Sequence, residues 1–260
     1  MTRPERERSF RTPALILKRR DFGEADRMLT ILTPDDGKLD VLAKGARKLT
    51  SRKTGHVELF TRADLLVSRG RDFGQVTQAE MTAPYLTLRE DLTRGAYATY
   101  VVELLDRFTT ESEDHDGGRL FALLDATFAR VSDAADPRLA VRYYELQLLD
   151  RVGFRPELHE CVIGRESIQP EDQYFSVSEG GAVCPTCAAR GRATLLAITL
   201  GGLKVLRHLQ RSSYDVVAAL HLAPALHDEI ERIMLAYITH VLERRVQSIE
   251  FVQRVRGRVP

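Results

Sequence analysis

Cys184-Pro-Thr-Cys187 has the spacing that presents two thiolates to one cation from a tight turn. Cys161 stands on a second arm, separated from that turn by 22 residues. A tetrahedral site needs a fourth ligand. His159 leads, because structural Zn²⁺ prefers sulfur and nitrogen and His-Glu-Cys at 159–161 can fold both side chains toward one point. Glu160 and Glu166 are the weaker candidates. Such an ion would stabilise a loop-rich insertion of about 30 residues that is too small to build a core of its own. Two alternatives stay open. Cys-Pro-Thr-Cys also suits a redox pair, but that chemistry wants a strand before it and a helix after it, and Gly180-Gly181 precedes it here. The thiols are otherwise inert and metal-free. Catalytic zinc has no support, since there is no H-E-x-x-H and no H-x-E partnered with P-C-x-x-C.

A second chemistry is suggested by Gly37–Lys53. Leu39 and Val41 alternate with Lys38 and Asp40, as in a half-buried strand. Lys44, Arg47, Lys48, Arg52 and Lys53 then follow within ten residues, with Gly45 as a hinge and no acid among them. A basic, flexible loop leaving a strand suits a polyanion backbone, because phosphates are met by charge and need little fixed geometry. The plain alternative is a solvated lysine-rich loop. Arg19, Arg20 and Lys38 form a second set of candidate phosphate contacts. Residues 37–53 contain no aromatic, and of the nearest (Phe10, Phe22, Phe60 and Phe73) most are expected in the core. The expected binding is therefore electrostatic and independent of sequence.

The elements that must hold these residues are of two kinds. Short apolar runs at Ala14–Lys18, Met28–Thr33, Lys38–Ala43, Asp64–Ser68 and Gln75–Glu80 are separated by turn residues, including the hairpin signal Asp36-Gly37. Five short strands in about 80 residues suit a small closed barrel, OB-type or SH3-like, that leaves no free edges. Beyond Pro84 the apolar period becomes helical. Leu86 to Phe108, Leu120 to Val131, and Leu139 to Val152 after the Asp136-Pro137 start signal are three amphipathic stretches. Further helices are expected at Leu200–Leu209, at Tyr214–Leu222 and from Pro224 onward. The fold class is α+β: a small five-stranded barrel over 1–80, OB-type being the leading candidate, then an all-helical domain (81–153 and 194–260) interrupted by a small insertion at 154–193 that holds the three cysteines. Residues 1–8 read as a frayed arm, Glu111–Gly118 as an acidic loop, and Arg254, Arg256 and Arg258 as a mobile basic tail.

Charge is unevenly distributed. Residues 1–80 carry 17 Lys+Arg and 12 Asp+Glu, a net +5, and the remaining 180 carry a net −4. A basic front and an acidic back suggest two surfaces with different partners. There is no G-x-x-x-x-G-K-[ST], no G-x-S-x-G, no secretory signal and no apolar run long enough to span a bilayer. The expectation is a cytoplasmic, non-enzymatic binding protein. An adaptor whose helical half is the working surface is the competing class, with Arg138 and Arg142 as the basic patch that an acidic peptide would need.

The order Ala-Leu-Ile-Leu-Lys (14–18), Phe-Gly-Glu-Ala-Asp (22–26), Leu-Thr-Ile-Leu-Thr (29–33), Gly-Lys-Leu (37–39), Ala-Lys-Gly-Ala-Arg-Lys (43–48) and Ser-Arg (51–52) resembles the RecO family of bacterial DNA-repair proteins. The likeness continues through the helical region to Gly-Gly-x-x-Cys-x-x-Cys at 180–187. It implies an N-terminal OB-fold, a helical domain and a zinc-binding insertion. It also implies binding of single- and double-stranded DNA and annealing of complementary strands. With RecR, such a protein helps RecA load onto strands coated by single-strand-binding protein, in the cytoplasm and at the nucleoid. One departure stands out. Four-cysteine members carry C-x-x-C in the first arm, and here Gly164 takes the second place. The fourth ligand must then come from His159 or another residue.

Overall fold

The computed structural model describes residues 8–48, 50–109, 117–191, 195–243 and 246–257. Most of the expected N-terminal arm and acidic loop, and Arg258, lie outside these segments. All five expected strands form, each longer than its apolar run: β1 (Ser9–Phe22), β2 (Asp26–Thr33), β3 (Gly37–Ala43), β4 (Arg62–Ser68) and β5 (Gly74–Ala83). β1 is the longest because it serves two partners. Ser9–Leu15 pairs with β4, and Leu15–Phe22 pairs with β2. The register shifts between Ile16 and Lys18, so a bulge at Leu17 lets the strand bend from one partner to the other. β3 meets β5 in parallel at Val41↔Gly74 and Leu42↔Gln75. The order β1-β2-β3-β5-β4 returns to β1 as a closed barrel. Ala14, Ile16, Leu29, Ile31, Val41, Leu65, Val67 and Val76 fill its interior. Leu15, Leu17, Met28 and Leu32 point the other way and are buried as well, so the barrel is covered on that side too.

The helices are α1 (Thr87–Glu90), α2 (Leu92–Phe108), α3 (Gly117–Asp133), α4 (Pro137–Arg151), α5 (Pro185–Ala188), α6 (Leu200–Arg211), α7 (Tyr214–Val217), α8 (Pro224–Val241) and α9 (Gln247–Arg256). The chain divides into two compact units, but not at residue 80. One holds the residues up to Ala98 together with Thr109–Ser132; the other holds Thr99–Phe108 and the chain from Asp133 on. In the first unit α3 lies against the barrel. Phe128 packs edge-on against Phe60 and Tyr85, and Asp125 accepts hydrogen bonds from Arg62 (2.9 Å) and Tyr85 (2.7 Å). A side chain at Gly117 would sit 3.0 Å from the carbonyl oxygen of Pro34 in the β2–β3 turn, so that position favours glycine.

In the second unit α4 starts as its sequence directs, with the Asp136 side chain accepting from the amide of Arg138 and Pro137 in the first turn. α4, α6 and α8 pack on one another, so helices from both sides of the cysteine segment share one core. That segment has more secondary structure than the sequence suggests. Strands β6 (Gln173–Ser176), β7 (Gly181–Val183) and β8 (Leu195–Ile198) form a sheet in the order β7-β6-β8, and α5 carries Cys187. The C-terminal segment is helical rather than a mobile tail: in α9, Arg256 pairs with Glu231 (2.5 Å) and Asp228 (3.1 Å) of α8.

Candidate nucleic-acid interface and metal centre

The basic segment after β3 is a chain of turns stapled to the β1–β2 hairpin, not a flexible loop. Gly45, at φ +70°, donates its amide to the Asp26 carboxylate (2.7 Å), and the Arg47 amide donates to the Ala25 carbonyl (2.9 Å). Ala46 is fully buried, and the Thr54 hydroxyl donates to its carbonyl (2.8 Å). This backbone fixes what each cation can do. Lys44, Lys48 and Arg52 are exposed and carry no ion pair among the described residues. Arg47 reaches Asp21 at 3.4 Å, and Arg20, largely exposed, lies 3.9 Å from Asp40. Pairs this open are worth little and yield readily to a phosphate.

The other three expected contacts already have partners in the fold, although Arg19 is itself exposed. Arg19 and Arg27 both pair with Glu58. Lys53 donates to the Val76 carbonyl (3.1 Å), and burial draws its pKa down against the pull of Asp26. Lys38 is 7% exposed and donates to the Thr109 carbonyl at 2.8 Å. It is not available to an external phosphate, because its ammonium satisfies a buried backbone oxygen. Of the four nearest aromatics, most of them expected in the core, Phe60 is buried, whereas Phe22 at the end of β1 and Phe73 in the β4–β5 connection are exposed.

In the second unit, the sulfurs of Cys161, Cys184 and Cys187 and a carboxylate oxygen of Glu166 all lie within 4.8 Å of one another. Residue 166 arrives there because the Cys161 amide donates to the Glu166 carbonyl (2.8 Å), and the flanking residues Glu160 and Ser167 form an antiparallel bridge. The amides of Gly164 (3.3 Å) and Cys184 (3.4 Å) point at the Cys161 sulfur. Burial raises the Cys161 thiol, but the amides of Cys184, Gly164 and Ile163 outweigh it and hold the group at about 7. Cys187, hydrogen-bonded to the Cys184 sulfur and near Cys161, is pushed up to about 11. Thiols this close do not all ionise unless a cation joins them, and the donor set fits a divalent ion bound by soft ligands.

His159 does not join the cluster. The Glu157 carboxylate accepts from the amides of His159 and Glu160, and the His159 side chain lines a cleft of about 570 Å³ on α6 with Lys204, Val205, Arg207, His208, Arg211 and Leu220. Arg142 forms no surface patch with Arg138. It is 2% exposed and bound to buried Glu145 (2.9 Å), whose other partner is the Tyr100 hydroxyl (2.6 Å).

Two family descriptions match this chain in tandem: Recombination protein O N terminal over residues 8–85, and Recombination protein O C terminal over residues 89–250. The chain belongs to the RecO family. It is 41% identical over 251 residues to a DNA repair protein RecO from Roseiflexus sp. (strain RS-1), covering 96% of this chain and 87% of that one. It is 32% identical to one from Dehalococcoides mccartyi (strain BAV1), covering 98% of each. A RecO from Symbiobacterium thermophilum is 32% identical, covering 95% of this chain and 98% of that one. RecO membership gives the chain a role in DNA repair and recombination. Among the described residues no helix is long and apolar enough to cross a membrane.

Sequence reasoning placed Glu166 below His159 by ligand preference. The signal that would have reversed the order is the two-stranded turn around Gly164, which returns the chain to Cys161. The burial of Arg142 and Glu145 was missed, because the helical period puts Leu139, Val141, Tyr143, Leu146, Leu149 and Val152 on the apolar face and leaves Arg142 to solvent, whereas residues 139–146 of α4 are all buried.

Proposed function

We propose that this chain is a non-enzymatic recombination mediator. It binds single- and double-stranded DNA through the 43–53 loop of an OB-type barrel and anneals complementary strands. With RecR it promotes loading of RecA onto DNA coated by single-strand-binding protein, in the cytoplasm and at the nucleoid. The observation that carries this reading is the exposure of Lys44, Lys48 and Arg52, without acidic partners among the described residues, on a loop pinned to the barrel of a RecO-family chain. The OB assignment is supported by β1 pairing with both β2 and β4 and by the parallel β3–β5 closure. Annealing follows from charge, since cations that neutralise two backbones reduce their mutual repulsion. Exposed Phe22 and Phe73 add two faces on which bases can stack. The cysteine cluster is read as a structural Zn²⁺ site that ties the two arms of the 154–193 segment together.

The test is annealing of complementary oligonucleotides, bare and coated with single-strand-binding protein, by the full chain. Acceleration on both substrates is expected. Rates equal to the uncatalysed rate on both refute the reading.

A second reading, a protein-interaction adaptor, draws support from the α6 cleft. Lys204, His208 and Arg211 fall on one helical face above Val205 and Leu220, with Arg207 beside them held by the Leu158 carbonyl, and a cationic rim over an apolar floor suits an acidic peptide with an apolar side chain. Titrating the acidic tail of single-strand-binding protein against the wild type and a Lys204→Glu/Arg211→Glu variant tests it. Equal affinity refutes this site.

A further inference from the structure

The first arm of the cysteine segment is shaped like a metal-binding knuckle with one thiol missing. Residues 161–165 form a turn in which the Arg165 amide donates to the Cys161 carbonyl (2.8 Å) and the Gly164 amide points at the Cys161 sulfur (3.3 Å). A second ligand three residues after Cys161 would stand at 164, and that residue is glycine. Where its side chain would go is informative. A Cβ built on Gly164 lies 2.8 Å from the Cys187 sulfur and 2.2 Å from the Oε2 of Glu166. A side chain at 164 would therefore point into the cluster, and the space it would fill holds the Glu166 carboxylate. Arg165, next in the chain, sits at φ +64°, a left-handed conformation that non-glycine residues rarely adopt. That residue turns the chain so that Glu166 comes back toward the sulfurs.

We infer that Glu166 is the fourth metal ligand of this chain and occupies the place of a side chain at 164, so that the centre has three thiolates and one carboxylate. The inference rests on the structural-zinc reading above and goes beyond it. It assigns the ligand set, ties two positions to each other, and removes His159 from the site. Glu166 is the exposed member of the set, whereas Cys161 and Cys187 are buried, so the metal is approached from the carboxylate side.

The coupling between 164 and 166 supplies the test. Zinc content, affinity in competition with a chromogenic chelator, and the spectrum of the Co²⁺-substituted protein are measured on four full-length chains: wild type, Glu166→Ala, His159→Ala, and Gly164→Cys combined with Glu166→Ala. Circular dichroism confirms that each is folded. Wild type is expected to bind one Zn²⁺ and to show the charge-transfer absorption of three thiolates. Glu166→Ala is expected to weaken binding at least about tenfold, since even residues that only support a ligand commonly cost that much. His159→Ala is expected to match wild type. The double variant is expected to recover the affinity and to gain the absorption of a fourth thiolate. Wild-type chain that binds no zinc overturns the zinc reading and this inference together. Zinc-binding wild type with an unaffected Glu166→Ala overturns the ligand assignment alone. A double variant that is folded but neither regains affinity nor gains thiolate absorption overturns the exchange between the two positions.

Discussion

Replacing Lys44, Lys48 and Arg52 together with alanine removes three cations that have no ion pair among the described residues. Each phosphate contact contributes about 0.7 to the slope of log affinity against log salt on single strands and about 0.9 on duplex. If all three meet phosphate, the variant's slope is shallower by about 2 on single strands and by nearly 3 on duplex. From 50 to 200 mM salt, log concentration changes by about 0.6. Wild type should therefore lose roughly 20-fold more affinity than the variant for single strands, and roughly 40-fold more for duplex, over that interval. The assay is fluorescence anisotropy of a labelled oligonucleotide across a salt titration. Lys38→Met and Lys53→Met supply the contrast, because both ammonium groups donate to backbone carbonyls. They should leave the slope where it is. A triple variant with the wild-type slope, or a Lys38→Met variant that flattens it, refutes the division into exposed and committed cations.

Lys38→Met should instead lower stability, because it leaves the buried Thr109 carbonyl without its donor; the expected loss is about 1–3 kcal/mol in urea unfolding. Phe22→Ala and Phe73→Ala should each cost about 1–3 kcal/mol of single-strand affinity with the salt slope unchanged if the rings stack on bases, and equal affinity for both variants refutes stacking. Glu145 gives a pH test. Burial outweighs the adjacent Arg142 and raises the carboxyl from 4.5 to about 7. Between those values the folded chain holds a proton that the unfolded chain has lost, so this group makes stability fall as pH rises through the window, by at most about 1.4 kcal/mol per pH unit. Glu145→Gln should flatten that decline in thermal unfolding at pH 5 and pH 7.

The strands and their turns were legible because each depends on neighbours in sequence: alternation sets the face, and Asp36-Gly37 sets the hairpin. What remained hidden depends on residues far along the chain. No local feature groups α3 with the barrel; that grouping depends on Phe128 meeting Phe60 and on Asp125 meeting Arg62 and Tyr85. In the basic loop, charge density could be counted from the sequence, but which cations are available could not. Lys44 and Lys53 are the same residue type nine positions apart. One is exposed, and the other reaches the Val76 carbonyl on β5.

Lys38 shows why alternation alone can mislead about function. Its place between Gly37 and Leu39 predicts a side chain on the solvent face of β3. In an isolated sheet that would hold, and the ammonium would be one more phosphate contact. Here the outside of the barrel is itself a packed surface, as the burial of Leu15, Leu17, Met28 and Leu32 already indicates. On such a barrel an outward-pointing residue meets protein before it meets water. A lysine there persists only where a carbonyl is waiting for it, and Thr109, joined to the barrel unit through the α3 segment, supplies one. Backbone that leaves the barrel wall gives a cation the chance of exposure, although Lys53 on the basic loop reaches back to the Val76 carbonyl. Lys44, Lys48 and Arg52 on that loop are exposed, and Lys38, fixed within β3, is not.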